Sequence, residues 1–283
     1  MDFRDVVKAG NTVESVFRAS CFNALELRIL MEQATGLSRI QQITQSDHVL
    51  TEEEAQKLCA LLERRQSGDP IAYITGKREF FGLPFLVSPD VLIPRPETEL
   101  LVERALAVLP QGGKLVDMGT GSGAIAVSVA HERPDAVVMA TDVSEAALAV
   151  AKANANQILG TDGRIRFCQG SWFEAFGAGM SFDVIVSNPP YIHHQDAHLG
   201  QGDLRFEPKG ALTDFSDGLS ALVVLVEGAP RFLKTDGWLL MEHGYNQAKA
   251  VRQMMDQQGF TDVQSWQDLA GIERVSGGRW TVG

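Results

Sequence analysis

Short apolar strands alternate with amphipathic helices from Glu97 onward, and this alternation restricts the possible folds more than any other feature of the chain. Strands separated by single helices of this length usually lie parallel in one sheet, with helices packed on both faces. The pattern therefore predicts a doubly wound, mostly parallel α/β sheet. The predicted strands are Lys114–Met118, Ala136–Thr141, Arg164–Gln169, Asp183–Ser187 and Gly237–Glu242, followed by one or two more, and the predicted helices are Glu97–Leu109, one that opens at Gly123, Ser144–Gln157, Leu219–Leu233 and Asn246–Gln257.

Residues 1–70 contain only helical patterns. Apolar residues recur at helical spacing over Asn23–Ala34, and Gly36 follows as a candidate for the residue that ends the helix. Thr51 and Glu54 form a capping box that opens another helix with an apolar face. We therefore expect a small all-helical N-terminal domain over residues 1–70.

Residues 71–95 differ from the helical segment because aromatic residues become frequent there. Phe80, Phe81 and Phe85 favour strands, and Gly82 and Pro84 interrupt them. This pattern predicts a β-hairpin that links the helical domain to the α/β domain. The α/β domain is then expected to span residues 96–283.

Charge and composition limit the partners of the chain and its location. With 25 Lys and Arg against 36 Asp and Glu, the net charge is −11, which disfavours binding to a phosphate backbone, so nucleic acid is not expected as a partner. Three scattered cysteines lack the spacing of a disulfide framework or a zinc ribbon. The N-terminus has no apolar signal segment, and the longest aliphatic run, Ala221–Val226, is too short to span a membrane. We expect a soluble, cytoplasmic protein.

A glycine-rich segment follows the first strand of the predicted sheet. It reads Asp117-Met118-Gly119-Thr120-Gly121-Ser122-Gly123. Glycines at alternate positions let the backbone turn sharply and approach a ligand closely, and the following helix presents free N–H groups. Asp142 ends the next strand, where a carboxylate can accept both hydroxyls of a ribose. These residues predict a nucleoside-containing cofactor, but the glycine spacing also fits dinucleotides, so the residues alone leave its identity open.

The segment Asn188-Pro189-Pro190-Tyr191 directly follows an apolar strand. Each proline fixes its own φ and restricts the residue before it to extended geometry, so the tetrapeptide is rigid. The Asn188 side-chain oxygen and the Pro189 carbonyl can accept both hydrogens of one NH₂ group, while Tyr191 offers a flat face to a planar substrate. This arrangement suits binding of the NH₂ group of an amide or aryl amine, whose nitrogen lone pair is otherwise held in resonance.

Both motifs resemble those of methyltransferases. The Asp-x-Gly-x-Gly-x-Gly form is similar to class I S-adenosylmethionine-dependent methyltransferases, and the tetrapeptide resembles enzymes that methylate adenine in nucleic acids or glutamine in proteins. Further strings, spread over nearly the whole chain, resemble the release factor glutamine methyltransferases (the PrmC/HemK family). They are Tyr73-Ile74-Thr75-Gly76, Glu79-Phe80-Phe81-Gly82-Leu83, Leu92-Ile93-Pro94-Arg95-Pro96-Glu97-Thr98-Glu99, Phe206-Glu207-Pro208, Asp217-Gly218-Leu219 and Glu242-x-Gly244-x-x-Gln247.

The resemblance implies a seven-stranded, Rossmann-like class I fold and methyl transfer to the glutamine of the Gly-Gly-Gln loop in class 1 peptide-chain release factors. The cofactor would be S-adenosylmethionine, released as S-adenosylhomocysteine, without a metal. Asn188, Pro189 and Tyr191 would be catalytic. The implied cofactor contacts are Asp117, Gly119, Thr120, Gly121, Ser122, Gly123, Asp142 at the ribose, Trp172 at the adenine, and Asn188, and the implied substrate contacts are Asn188, Pro189, Pro190, Tyr191, Arg95 and Glu207.

The chain departs from the family pattern at two places. Ser171 stands where many relatives carry an acid that contacts the adenine, which weakens the prediction for this contact. Asp214-Phe215-Ser216 stands where relatives often carry glycines, which predicts a stiffer loop.

Several alternatives stay open from the sequence. Trp172 fits a buried core position as well as an adenine contact, Glu207 fits an ordering or a turn-capping role, and Arg95 can pair with a substrate acid or with Glu97 and Glu99. His193, His194, Asp196 and His198 are interpreted as loop residues, because adjacent residues in one loop do not converge on a metal. A nucleic-acid adenine methyltransferase is the second hypothesis and a nicotinamide-dependent oxidoreductase the third; Asp117 and the tetrapeptide argue against the latter.

Overall fold

The structure is a computed structural model that describes residues 3–161, 163–177 and 179–281. The chain divides into two compact units, Met1–Gly76 and Lys77–Gly283. The domain limits expected at residues 70 and 95 stay a prediction. No helix in the described ranges is both long and apolar enough to cross a membrane.

The first unit is built from helices packed around apolar side chains. Within the described part of this unit the helices are α1 (Phe3–Val6), α2 (Val13–Ala19), α3 (Ala24–Thr35), α4 (Arg39–Thr44), α5 (Glu52–Gln66) and α6 (Ile71–Thr75). The predicted capping box is confirmed, because the Thr51 hydroxyl accepts from the Glu54 amide and the Glu54 carboxylate accepts from the Thr51 amide. Gly36 ends α3 at a φ of 76°. Helices α3 and α5 bury Leu27, Leu30, Leu58 and Leu62 in the common core.

The second unit begins with an antiparallel hairpin of β1 (Lys77–Phe80) and β2 (Leu83–Leu86). The hairpin is shorter than the predicted segment, residues 71–95, because the first residues of that segment form α6. Gly76 ends that helix in the left-handed region, at a φ of 70°, and the chain turns there into β1.

A seven-stranded sheet forms the centre of the second unit among the described residues, as predicted. Its spatial order is β5-β4-β3-β6-β7-β9-β8. The pairs from β5 to β7 are parallel, and β9 pairs antiparallel with both β7 and β8. The strands are β3 (Lys114–Met118), β4 (Val137–Asp142), β5 (Ile165–Gln169), β6 (Phe182–Ser187), β7 (Leu233–Glu242), β8 (Thr261–Gln267) and β9 (Glu273–Trp280).

Helices cover both faces of this sheet. In the described ranges they are α7 (Glu99–Val108), α8 (Ala124–Glu132), α9 (Glu145–Leu159), α10 (Lys209–Leu212), α11 (Ser220–Gly228) and α12 (Ala248–Gln258). Successive strand residues point to opposite faces, so Leu115 packs in the core with α7, α8 and α9, whereas Val116 packs in the core with α11 and α12. The predicted helix Leu219–Leu233 is wrong at its end: α11 stops at Gly228, Pro230 lies in a short 3₁₀ turn, and β7 begins at Leu233.

The order of the strands positions the functional site. From β3 the chain proceeds outward through β4 and β5 on one side, and it then crosses back to β6 on the other side. Such a reversal opens a crevice beyond the carboxyl ends of the central strands, where ligands of open α/β sheets bind. Both sequence motifs follow these two strands, β3 and β6.

Candidate functional site

The glycine-rich loop between β3 and α8 requires its glycines. Gly119, Gly121 and Gly123 have φ values of 72°, 54° and 82°, which residues with a side chain rarely adopt. At Gly123 an added Cβ atom would also lie 3.1 Å from the Cβ atom of Ala151. The loop therefore depends on glycine both for its backbone conformation and for the close packing of α8 against α9.

Asp117 lies fully buried beneath this loop. Its Oδ2 accepts hydrogen bonds from the Thr120 hydroxyl at 2.6 Å and the Ala126 amide at 3.2 Å. Its Oδ1 is buried and has no hydrogen-bond partner among the described residues. Burial, assisted by the charge of Asp142, raises the pKa of Asp117 to about 7. The side chain thus fixes the start of the loop at the cost of an incompletely satisfied carboxyl group.

Asp142 lies at the end of β4 and contacts the same loop. Its Oδ2 accepts from the Gly121 amide at 2.9 Å, and its Oδ1 accepts from the Ser144 amide at 2.9 Å. Each carboxylate oxygen can accept more than one hydrogen bond, so both oxygens of Asp142 can accept further donors from a ligand. Asp142 lies at the carboxyl end of its strand, beside the glycine-rich loop, and its contact with a ribose stays a prediction.

Trp172 is half-buried and has a φ of 46°, in the left-handed region that a bulky residue adopts only when its surroundings enforce it. A Cβ atom added at Gly119 would lie 3.9 Å from Cζ3 of this indole ring, so the ring lies next to the glycine-rich loop. The side chain therefore lines a ligand cavity as well as packing against the core.

This cavity, here called the cofactor cavity, has a volume of about 310 Å³. It has the size of a small-molecule site, with a flat indole for an aromatic base and a carboxylate for hydroxyls. These residues fit a nucleoside with an amino-acid extension. The lining includes Gly119, Thr120, Gly121, Ser122, Asp142, Ser171, Trp172, Asn188 and Pro190.

The Asn188 side chain is oriented by a residue from another part of the chain. Its Nδ2 donates a hydrogen bond to the Thr98 hydroxyl oxygen at 3.2 Å, and Thr98 is buried. No donor among the described residues reaches the Asn188 Oδ1. Since Asn188, Thr98 and Pro190 line the cofactor cavity, an unused acceptor lies at its edge.

Tyr191 is anchored through its hydroxyl, which donates to the Glu242 Oε1 at 3.0 Å. Burial raises the pKa of Tyr191 well above its ordinary value, and the negative charge of Glu242 adds to this effect. Burial also raises the pKa of the fully buried Glu242, while the hydroxyls of Thr98 and Tyr191 and the positive charge of Arg274 oppose the rise. The hydrogen bond to Glu242 therefore fixes the position of the Tyr191 ring.

The backbone of Tyr191 is held by segments that follow it in sequence. The Gln247 Nε2 donates to the carbonyl oxygens of Tyr191 and Gly218, each at 3.0 Å, and the Gln247 Oε1 accepts from the Gly244 amide at 2.7 Å. Gly218 has a φ of 79°, and an added Cβ atom would lie 2.4 Å from the Tyr191 carbonyl oxygen. These contacts explain the Asp217-Gly218-Leu219 and Glu242-x-Gly244-x-x-Gln247 strings.

Arg95 and Glu207, whose roles the sequence left open, form an ion pair with each other. The Glu207 Oε2 also accepts from the Ile93 amide at 3.1 Å, and the Glu207 side chain is fully buried. Burial raises the pKa of Glu207, although Arg95 opposes the rise. Glu207 thus orders the Ile93–Arg95 segment, and Arg95 itself lines the cofactor cavity.

The histidine-rich segment after the tetrapeptide makes local contacts. The His194 Nδ1 donates to the Ser216 carbonyl at 2.7 Å, the His198 Nδ1 donates to Asp196 at 2.6 Å, and the His193 Nδ1 accepts from the Gln195 amide at 3.1 Å. Within the described part of the chain, no group of three or more His, Cys, Asp or Glu is arranged to hold a metal ion.

Comparison with known proteins identifies the family. The profile of the methyltransferase small domain matches residues 96–203, and that of the PrmC N-terminal domain matches residues 12–76. The release factor glutamine methyltransferase of Burkholderia pseudomallei is 53% identical over 273 residues, which cover 95% of this chain and 96% of that protein. This chain belongs to the release factor glutamine methyltransferase family.

Further comparisons agree with this family. The release factor glutamine methyltransferase of Escherichia coli is 46% identical over 256 residues, covering 90% of this chain and 91% of that protein. The crystal structure of a methyltransferase from Pyrococcus furiosus has a TM-score of 0.53 and 20% identity, covering 78% of this chain and 98% of the other, which shows the same fold. The family resemblance seen in the sequence motifs is thereby confirmed.

Three further residues of this release factor glutamine methyltransferase family member lie at the site, and the sequence did not predict them. Thr98 and Glu242 belong to strings that carried the resemblance, but the sequence assigned them no contact. Asn154 is buried on α9, where its Nδ2 donates to the Leu86 carbonyl at 3.0 Å and the Ser122 carbonyl at 2.8 Å. The only signal for Asn154 was a polar residue on the otherwise apolar, buried face of α9.

Proposed function

We propose that this protein transfers a methyl group from S-adenosylmethionine to the side-chain amide nitrogen of the glutamine in the Gly-Gly-Gln motif of class 1 release factors. The family membership supports the reaction. The observation that carries the proposal is the orientation of Asn188, whose Nδ2 is bound to Thr98 while its Oδ1 remains available beside the cofactor cavity.

The proposed chemistry must overcome the weak nucleophilicity of an amide nitrogen. Its lone pair is delocalised into the carbonyl, and the rotation barrier of ~18–20 kcal/mol measures the strength of this resonance. In the proposal the Asn188 Oδ1 accepts one hydrogen of the substrate NH₂ and the Pro189 carbonyl accepts the other. Both acceptors turn the lone pair toward the cofactor cavity and stabilise the positive charge that develops on nitrogen. In the proposal the N–CH₃ bond forms as the S–CH₃ bond breaks, and the nitrogen then loses one of its hydrogens as a proton to solvent.

The cofactor completes the reaction. When bound, S-adenosylmethionine supplies an electrophilic methyl group on sulfur and leaves as S-adenosylhomocysteine. We propose that the Gly119–Gly123 loop holds its methionine portion, that Asp142 binds the ribose hydroxyls and that Trp172 packs on the adenine. Asp117 supports the loop from below, because its carboxyl group is fully buried.

The proposal assigns the remaining contacts to the protein substrate. Asn188, Pro189, Pro190 and Tyr191 hold the glutamine side chain, and Glu207 acts through Arg95, which it pairs with. The proposal includes no metal and no nucleic-acid partner, and it places the enzyme in the cytoplasm with its substrate. The net charge of −11 supports a protein substrate over a phosphate backbone.

The test is methylation of a purified class 1 release factor. The factor is incubated with the enzyme and S-adenosylmethionine, and intact-mass and peptide analysis then locates the modification. We expect one methyl group on the Gly-Gly-Gln glutamine and none on a release factor in which this glutamine is replaced by alanine. Methylation of adenine in RNA or DNA, with none on the release factor, would contradict the proposal.

A further inference from the structure

We propose that a second cavity beside Tyr191 binds the main chain of the peptide that carries the substrate glutamine, and that Arg274 donates hydrogen bonds to carbonyl oxygens of this peptide. The inference rests on the proposed function and adds a substrate-binding residue to it. This cavity, here called the peptide cavity, has a volume of about 670 Å³.

Both cavities are lined by residues of the tetrapeptide. Asn188 and Pro190 line the cofactor cavity, Tyr191 lines the peptide cavity, and Arg95 lines both. In this inference, a glutamine side chain extends from the peptide cavity past Tyr191 toward the Asn188 oxygen. The main chain of the peptide that carries this glutamine then lies in the peptide cavity.

Arg274 presents a fixed set of donors to this cavity. It lies on β9, and its Nε donates to the Asp268 Oδ2 at 3.1 Å. Asp268 is itself held, because its Oδ1 accepts from the amides of Ala270 and Ile272 at 2.9 and 3.0 Å. Neither terminal nitrogen of Arg274 has an acceptor among the described residues, although its side chain is only 22% exposed. A guanidinium held by one edge thus keeps its other N–H groups free for a ligand.

The charges around the cavity favour a neutral peptide over an anion. Glu97, Asp203 and Glu242 line it together with Arg95 and Arg274, and Arg95 is already paired with Glu207. A phosphate group would therefore meet several carboxylates in the same space. A peptide main chain offers carbonyl oxygens to the guanidinium and N–H groups to the carboxylates, which matches this mixture of charges.

The test compares Arg274→Lys with Arg279→Lys in steady-state methylation of full-length release factor. Lysine keeps the positive charge near Glu242 but loses the planar arrangement of donors. We expect Arg274→Lys to raise KM for the release factor about tenfold, with kcat within about twofold of wild type, since it removes binding shared by ground and transition states. Arg279 lies on the same strand but pairs with Asp262 outside the cavity, so its variant should match wild type.

Calorimetric titration with S-adenosylhomocysteine accompanies the kinetics, and unchanged affinity shows that each variant is folded. An unchanged KM in Arg274→Lys overturns the inference, as does a loss confined to kcat, which would mean that Arg274 acts through Glu242. If Arg274→Lys does not fold, Asp268→Asn is used instead, because it releases the guanidinium without removing it and should also raise KM. Wild-type enzyme in the same assay tests the proposed function: without methylation of the release factor both proposals fail, whereas normal wild-type activity confines a failure to the inference.

Discussion

The contact between Asn188 and Thr98 determines which atom of the Asn188 side chain is available to a ligand. An asparagine carries a donor and an acceptor of nearly the same size, and only one of them suits a substrate NH₂ group. Because the Thr98 oxygen accepts from the Asn188 Nδ2, the acceptor is left at the cavity edge. A residue in the segment before α7 therefore orients the side chain of a residue after β6.

Replacement of Asn188 by alanine tests this role. Asn188→Ala removes the acceptor, so the substrate nitrogen is free to return its lone pair to resonance. We expect kcat to fall by about 10²–10³, as when one preorganised polar contact to a transition state is lost. Steady-state kinetics measures the loss, and titration with S-adenosylhomocysteine checks that the cofactor cavity is intact.

Thr98→Val serves as a comparison variant for this measurement. Valine keeps the shape of threonine but removes the oxygen that holds the Asn188 amide, so kcat should fall less than in Asn188→Ala, while Thr98→Ser should restore it. A near-normal kcat in Asn188→Ala would instead show that the tetrapeptide is only a rigid turn.

Individual residues differ in how far the sequence could predict their contacts. Asn188 and Asp117 could be recognised as candidate site residues because they belong to local motifs whose backbone geometry follows from proline and glycine, but their hydrogen-bond partners could not be predicted. The partner of Arg95 could not be predicted, since Glu97 and Glu99 are close in sequence but the actual partner, Glu207, is 112 positions away. Asn188 and Thr98 are 90 positions apart, and only the folded sheet brings them together.

At the scale of elements, the turn before α11, which contains Gly218, packs against the backbone of Tyr191. Gly218→Ala tests this support, because its Cβ atom would lie 2.4 Å from the Tyr191 carbonyl oxygen at a φ of 79°. We expect the turn to move away and kcat to fall at least about tenfold, given that misplacement of reacting groups by 1 Å can cost 10²-fold. Affinity for S-adenosylhomocysteine should change little, since Gly218 does not line the cofactor cavity.

Gly200→Ala is the matched control for this substitution. An added Cβ atom at Gly200 has no heavy atom within 4 Å among the described residues, and its φ is not in the left-handed region. Both variants remove one glycine from a loop of the second unit. Equal activities of the two would contradict the role of Gly218.

Prediction of the elements succeeded where local pattern decides and failed where packing does. Strand β3 was predicted with its exact limits, because its apolar run is bounded by a polar lysine and the glycine-rich loop. The start of β7 was missed, since the apolar pattern of α11 continues past Gly228. The sequence pattern therefore predicts a strand that begins at Gly237, whereas β7 begins at Leu233. Only pairing with β6, through Phe182 and Leu233, reveals the longer strand.

The free energy of unfolding of the second unit should depend on pH because Asp117 titrates. Its pKa is about 7 in the folded protein, above the ordinary value near 3.9 of an unfolded chain. Below about pH 4 both states are protonated; between about pH 4 and 7 only the unfolded state ionises freely, so the free energy of unfolding falls as the pH rises. Above about pH 7 both states are ionised and this contribution is constant.

Asp117→Asn isolates this effect, because asparagine keeps an acceptor for Thr120 and Ala126 but does not titrate. We expect the stability of the variant relative to wild type to increase by on the order of a few kcal/mol between pH 4 and 7. Urea unfolding followed by tryptophan fluorescence measures it, and all four tryptophans lie in the second unit. Parallel stability curves for both proteins over this range would show that Asp117 is not buried as a neutral acid.

The hydrogen bonds that Glu242 and Gln247 make with Tyr191 also affect when the tetrapeptide becomes ordered during synthesis of the chain. The ribosome synthesises the tetrapeptide before Gly218, Glu242 and Gln247, so a growing chain that has reached only residue 191 lacks the three residues that hold Tyr191. The Gln247 amide is among the last of these to emerge, after β7 has been made. Each molecule therefore completes the contacts that hold Tyr191 only near the end of its own synthesis. Incomplete chains released before that point lack these contacts.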